Sequence, residues 1–149
     1  MKSPSASFYF SGDTAYEPTM FKLIGEKYGP FDIAAIGIGA YKPRFFMKDS
    51  HVNPLEAVKI HKDVKSRQSC GIHWGTFPLG FEDNVEPALD LARAREIEGL
   101  KHSDFFTMEH GETILVSPGN SNGGLDLAHN NPDILKHFLA QPRDPNSDE

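Results

Sequence analysis

Asp13 stands in Ser11-Gly12-Asp13-Thr14, a small polar turn directly after the aromatic run Phe8-Tyr9-Phe10. Aromatic residues favour strands, and Ser-Gly-Asp-Thr is turn chemistry. The carboxylate is therefore expected just past the end of a short buried strand, where α/β proteins place their working groups. It is open to three readings: metal ligand, general base, or cap of the helix that follows; a lone Gly-Asp-Thr favours the cap. His73 opens His73-Trp74-Gly75-Thr76 after the short stretch 69–72, so its ring should project from a sheet edge as a ligand or as a structural histidine. His51 precedes Asn53-Pro54-Leu55-Glu56 and is open to packing there, to contacting a phosphate or other substrate group, or to donating a proton. A hard carboxylate together with imidazole suits zinc, iron or manganese better than calcium.

The elements that must position these groups can be read in chain order. A strand is expected over residues 6–10. A helix is expected over Glu17 to Tyr28, with Pro18 in its first turn, Met20, Leu23, Ile24 and Tyr28 on one stripe and Gly29-Pro30 ending it. Residues 31–39 are apolar on both faces, as a central strand of a parallel sheet should be, and their glycines imply that another backbone or a ligand comes close. Residues 40–50 carry no period and read as an aromatic, basic loop, a lid over the site or packing against the helices. Asn53 as N-cap, Pro54 at the first position and Glu56 closing a capping box start a helix that runs on to Val64. Residues 69–72 form a short strand, 85–98 a helix capped by Gly99, and 105–108 and 113–116 two strands. Helical crossovers imply parallel strands whose carboxyl ends share one edge. Asp13, His51 and His73 each follow such a strand, so they converge on that edge.

Composition narrows the classes. A chain of 149 residues is long enough for one buried core, and its net charge of −6 argues against a nucleic-acid surface. Cys70 is the one cysteine, which excludes an intrachain disulfide and fits a reducing, cytoplasmic setting; inside an apolar strand it reads as an inert core thiol. No run approaches the ~18 apolar residues of a membrane span. There is no dinucleotide-binding Gly-x-Gly-x-x-Gly after a strand, no phosphate-binding Gly-Lys-Ser/Thr and no Gly-x-Ser-x-Gly elbow. His61 falls on a helix stripe as core or surface, His110 in a turn, and His102, His129 and His137 in polar context without a role. From residue 117 the composition turns to Gly, Asn, Asp, Pro and Ser, and 117–149 is expected to be a disordered tail apart from a short helix at 132–139.

Four stretches carry a resemblance: Phe-Ser-Gly-Asp-Thr-Ala-Tyr, Gly-Pro-Phe-Asp-Ile-Ala-Ala-Ile-Gly-Ile-Gly-Ala-Tyr, Met-Lys-Asp-Ser-His-Val-Asn-Pro-Leu-Glu-Ala-Val and Ile-His-Trp-Gly-Thr-Phe. In that order they resemble the metallo-β-lactamase superfamily and, within it, the phospholipase D branch that hydrolyses N-acyl-phosphatidylethanolamine. The resemblance covers residues 8–116 and implies an αββα sandwich, of which 1–116 would be the C-terminal half. It implies that Asp13 bridges two zinc ions, that His73 is the last histidine ligand to one of them, and that His51 lies near the substrate phosphate. The implied reaction splits a phospholipid phosphodiester into an N-acylethanolamine and phosphatidic acid, with peripheral membrane contact.

The superfamily's His-x-His-x-Asp-His motif is absent, since no two histidines are two apart, and so is the further histidine ligand before the Gly-Asp strand. The sequence is therefore expected to be a truncated or alternatively started product, an incomplete gene model or a standalone remnant. Alone it is expected to be inactive, to bind zinc weakly, and to associate through the apolar sheet face that the other half would cover. The rival readings are a catalytically dead binding or regulatory module and another hydrolase of the superfamily.

Overall fold

A computed structural model of the chain describes residues 1–2 and 5–116. Among the described residues eight elements follow one another: β1 (Phe8–Phe10), α1 (Pro18–Tyr28), β2 (Phe31–Gly37), α2 (Arg44–Met47), α3 (Pro54–Asp63), β3 (Ser66–Ile72), α4 (Glu86–Glu98) and β4 (Phe105–Thr107). The strands form one sheet in the order β1-β2-β3-β4, parallel throughout. The sequence predicts this α/β class with β2 in the interior. Strand order equal to chain order, with crossovers of one hand, puts the connecting helices on a single face. That face holds the core: Ala34, Ile36 and Phe105 from the sheet against Phe21 of α1, Ala57, Val58 and Ile60 of α3, and Leu91 and Ala94 of α4.

Local chemistry builds the helices as expected at two places. Asn53 and Glu56 form the capping box that starts α3, each bonding the other's backbone amide. Gly99 closes α4 in the left-handed conformation at φ 70°. The start of α1 is where the sequence places it, but its cap is not Asp13: the Glu17 carboxylate caps it by accepting from the amides of Thr19 and Met20.

Four expectations need correction. The stripe assigned to the buried face of α1 is mostly outside: Met20, Leu23 and Tyr28 are exposed, while Phe21 and Gly25 are buried. The cause is a close helix crossing. A Cβ on Gly25 would stand 2.0 Å from the Asp63 carbonyl oxygen, so α1 meets the end of α3 at its glycine and turns Phe21 inward. Second, β3 begins at Ser66 rather than Ser69. Its polar first half is held by Ser66 pairing with Phe31 and by the Arg67–Asp32 ion pair at 2.6 Å. Third, residues 40–50 are not a plain loop. They contain α2, and Tyr41 is buried with its hydroxyl on Asp90 at 2.7 Å, whereas Phe45 and Phe46 face outward. Fourth, residues 113–116 form no strand. Glu109 and Glu112 close a turn on each other, and Leu115 beyond it is exposed. The tail expected over 117–149, with its helix at 132–139, lies outside the described residues.

On the sheet face without helices, register and alternation line up Phe8, Ile33 and Gln68, then Phe10, Ala35 and Cys70. Exposure there falls chiefly on the edge: Phe10 is open to solvent, Ile33 and Cys70 are half-buried, and Ala35 is covered. The rim continues into an apolar groove of about 610 Å³ between β1 and α1, lined by Phe8, Tyr9, Phe10, Ile24, Tyr28 and Phe31 among others. Among the described residues, no helix is long and apolar enough to cross a membrane.

Candidate metal centre

Each of the three candidate residues is set at the carboxyl edge of the sheet by its own local device. At the end of β1, the Ser11 amide donates to the Ala35 carbonyl at 2.9 Å, and the Ser11 hydroxyl accepts from the Gly37 amide at 3.1 Å. The same hydroxyl donates to the Gly12 carbonyl at 2.8 Å. Gly12 turns the chain at φ 60°, leaving the Asp13 carboxylate projecting from the edge, 62% exposed.

His73 follows β3 in the left-handed region at φ 62°, a strained position for a residue with a side chain. Gly39 makes it workable. The Gly39 backbone lies so close that a Cβ there would stand 2.1 Å from the His73 carbonyl oxygen. The expectation that the glycines of this strand admit a neighbouring backbone is thus met at Gly39.

His51 sits between α2 and α3 with both backbone groups held. Its amide donates to the Met47 carbonyl at 2.8 Å, and its carbonyl accepts from Arg44 Nη1 at 2.7 Å. Arg44 in turn bonds both Glu56 oxygens at 3.1 and 3.0 Å, so the carboxylate that closes the α3 capping box also steadies the His51 backbone.

The structure brings the three side chains together. His73 Nε2 lies 3.5 Å from Asp13 Oδ1, and the His51 and His73 rings stack at 5.2 Å between centroids. One ligand atom from each falls within 4.8 Å of the other two. They line a cleft of about 10 Å³ shared with Gly12, Thr14, Gly37, Gly39 and Val52.

His61 and His110 lie elsewhere. His61 Nδ1 and Ser69 Oγ are 2.8 Å apart in the core, a nucleophile-like pair sealed from substrate, and burial pulls the imidazole down to about 4. His110 meets Thr76 at 3.2 Å in its turn. Burial likewise pushes the Cys70 thiol up to about 11, which keeps it protonated and unreactive at neutral pH.

One organising residue escaped sequence reasoning. The Glu82 carboxylate receives three successive amides, those of Ala40, Tyr41 (3.3 Å) and Lys42 (3.0 Å), where Ala40 adopts φ 60°. Phe81 adds an amide to the Lys42 carbonyl at 3.1 Å. These bonds latch the loop after β3 onto the loop after β2, one residue beyond Gly39. No local pattern around Glu82 announces this, because its partners lie some forty positions away.

Comparison with known proteins gives this edge a lineage. The Beta-lactamase superfamily domain matches residues 1–74, a span that contains Asp13, His51 and His73. The chain belongs to the metallo-β-lactamase superfamily. Among curated proteins, N-acyl-phosphatidylethanolamine-hydrolyzing phospholipase D 1 of Caenorhabditis elegans is 54% identical over 107 residues, covering 70% of this chain and 30% of that protein. The mitochondrial N-acyl-phosphatidylethanolamine-hydrolyzing phospholipase D of Saccharomyces cerevisiae is 38% identical over 94 residues, 62% of this chain and 20% of its own length. Among solved structures, the metallo hydrolase Igni18 of Ignicoccus hospitalis matches with TM-score 0.53 and 26% identity over 76% of this chain and 42% of that one. The chain thus resembles phospholipases of this kind and spans less than a third of the length of these two curated relatives.

The residues present fit the metal that such a family implies. Two ligands of one tetrahedral zinc, each about 2.1 Å from it, stand about 3.4 Å apart. The Asp13–His73 separation of 3.5 Å matches that spacing and is at the outer limit for a direct hydrogen bond. The mismatch is on the far side of the ring. His73 Nδ1 is buried with no hydrogen-bond partner, whereas metal-bound histidines ordinarily donate that second nitrogen to an acceptor.

Proposed function

We propose that this chain carries one side of the active site of a zinc-dependent phosphodiester hydrolase acting on N-acyl-phosphatidylethanolamine, with N-acylethanolamine and phosphatidic acid as products. The observation that carries the reading is the convergence of Asp13, His51 and His73 on one cleft inside the segment that the Beta-lactamase superfamily domain matches. Zinc, when bound, supplies Lewis-acid polarisation of phosphoryl oxygens and a water of low pKa. Asp13 and His73 would hold the metal, the carboxylate as the exposed anionic ligand and the imidazole through Nε2. His51, whose backbone Arg44 holds, presents its imidazole to the phosphate. The cleft is too small for a phosphodiester, so the headgroup lies over these side chains rather than inside them.

The lipid is met by apolar side chains around the same edge. Phe45 and Phe46 of α2 and Phe77, Leu79 and Phe81 of the loop after β3 are exposed, and the Glu82 latch ties that loop to the backbone just before α2. Such a cluster suits peripheral contact with a bilayer. Lys42 and Arg44, which could have drawn anionic lipid, are engaged by Glu86 at 2.8 Å and Glu56 at 3.0 Å. The open face at Phe8, Phe10 and Ile33 is the surface for self-association.

No His-x-His pattern occurs in the chain, so too few ligands are present for a zinc pair, and the chain by itself is inactive in this reading. The test is a chimera in which residues 8–116 replace the aligned segment of the C. elegans relative. It should release N-acylethanolamine from N-acyl-phosphatidylethanolamine vesicles, lose that activity on zinc chelation, and lose it again with Asp13→Asn. A folded chimera that binds zinc and hydrolyses nothing, or one whose turnover survives Asp13→Asn, overturns the reading.

A further inference from the structure

We infer that the apolar groove between β1 and α1 seats the N-acyl chain of the substrate, so that the two ester arms of the phosphodiester leave the cleft on opposite sides. The inference rests on the phospholipid reading above and adds to it the place of one chain.

Four observations carry it. First, the groove adjoins the cleft. Gly12 lines the cleft, Phe10 lines the groove, and a Cβ on Gly12 would meet Phe10 Cε1 at 3.9 Å. A chain leaving a phosphate held over Asp13 reaches the groove by crossing one ring. Second, the lining suits hydrocarbon. Tyr9 packs on Phe31 at 5.4 Å between centroids, and Ile24 and Tyr28 of α1 form the other wall. The groove measures about 610 Å³, within the roughly 300–1,000 Å³ of small-molecule sites. Among the described residues, the one charged side chain in its lining is Lys2, whose ammonium lies over the Phe31 ring at 6.0 Å. Phe31 opens β2, so this cation marks the amino edge of the sheet, the end remote from the cleft.

Third, the edge of β1 is not free for a peptide strand. The Phe8 amide donates to the Met1 carbonyl at 2.8 Å, and the Phe8 carbonyl accepts from the Met1 nitrogen at 2.7 Å. Strand addition uses such edge groups, whereas an alkyl chain needs none of them. Fourth, two apolar surfaces flank the cleft. Phe45, Phe46, Phe77, Leu79 and Phe81 belong to α2 and the loop after β3, while the groove lies beyond β1, the outer strand of the sheet. A phospholipid phosphodiester has two arms. The glycerol arm carries two chains and stays with the bilayer at the first surface, which leaves the groove to the single N-acyl chain.

The experiment is calorimetric titration of the full 149-residue chain, free of metal, with N-acylethanolamines of increasing chain length kept below their aggregation limit. Binding should saturate at one per chain, and each added methylene that the groove covers should tighten it by about fourfold. Ile24→Trp, which fills the groove, should weaken binding tenfold or more. Phe10→Ser, at a position 61% exposed and so outside the core, should weaken it severalfold. Ile97→Ser removes an exposed apolar side chain of α4 and should bind like the unmodified chain. Circular dichroism melts confirm that each variant is folded. Absence of saturable binding, an affinity independent of chain length, or unchanged affinity in both groove variants overturns the inference. So does a dimer in light scattering that Ile24→Trp dissociates, since the groove is then an interface between copies. In the chimera with the C. elegans relative, Ile24→Trp should raise KM for long N-acyl chains and leave kcat and the KM of a short-chain analogue unchanged. Hydrolysis with an unaltered dependence on chain length overturns the groove and leaves the phospholipid reading standing. An inactive chimera beside a chain that still binds N-acylethanolamines in the groove overturns that reading and leaves the N-acyl site standing.

Discussion

Gly39→Ala is the sharpest test of how the fold builds the site, because the added methyl group meets backbone rather than a side chain that could swing away. Its Cβ would stand 2.1 Å from the His73 carbonyl oxygen, 3.1 Å from the carbonyl carbon and 3.2 Å from Trp74 Cα. Ordinary contact begins at 3.4 Å, so the two chains must separate by about 1.3 Å. On the Gly39 side, the Glu82 latch fixes the next three residues. On the other, His73 is already in the left-handed region. Overpacking of this kind costs about 1–3 kcal/mol, which for a domain of this size lowers the melting temperature by roughly 4–12 °C. The same displacement pulls His73 Nε2 away from the 3.5 Å spacing with Asp13. Cobalt affinity should therefore fall about tenfold or more, in line with the roughly 10²-fold penalty that a 1 Å misplacement can impose on an oriented site. Gly99→Ala is the matched control: at φ 70° it strains the cap of α4 by about 1–2 kcal/mol, yet a Cβ there meets nothing within 4 Å and the site is remote. Thermal melts and cobalt titrations of the pair separate general destabilisation from displacement of His73. If Gly39→Ala melts and binds cobalt like the unmodified chain, the Gly39 contact does not position His73.

Two further outcomes follow from side chains outside the cleft. Burial holds the His61 imidazole at about 4 against 6.5 when free, with Lys62 pushing the same way and Asp104 opposing. The unfolded chain thus takes up the proton first, so this residue's contribution is complete above pH 6.5 and lost as pH falls toward 4, about 3 kcal/mol in all. Urea melts between pH 7.5 and 4.5 should show that slope, and His61→Gln should flatten it; an unchanged slope assigns the acid sensitivity elsewhere. Glu82→Gln weakens three charge-assisted amide contacts at once and should cost about 1–3 kcal/mol, with limited proteolysis now cutting within residues 76–85. A loop as resistant as in the unmodified chain removes Glu82 as the latch.

The parts of this fold legible in the sequence are those encoded within a few neighbouring residues. The Asn53–Glu56 capping box, the glycine closing α4 and the apolar run of β2 each declare themselves locally, and parallel topology then follows from the alternation of strands and helices. The same topology makes the meeting of Asp13, His51 and His73 legible, since carboxyl ends of parallel strands must share an edge. What the sequence hides is set by partners far along the chain. The polar start of β3 reads as loop until Arg67 finds Asp32, thirty-five positions earlier. The wrong face of α1 looks buried until Gly25 is seen against Asp63.

The spacing within the site shows why convergence does not by itself assign roles. Three residues at one sheet edge could stand several ångströms farther apart and leave the same sequence pattern. Whether they make a cluster depends on tethers that bear no metal: Ser11 joining the Asp13 turn to Gly37, Arg44 joining His51 to the capping box of α3, and Gly39 admitting His73. None of these tethers belongs to a recognisable motif, yet each sets the position of one of the three side chains along a different element. Conversely, His61 and Ser69 have a hydrogen-bonded geometry that would suggest a nucleophile and base, and their burial removes them from chemistry altogether. Access and tethering, rather than residue type, separate the open cluster at the sheet edge from the sealed pair in the core.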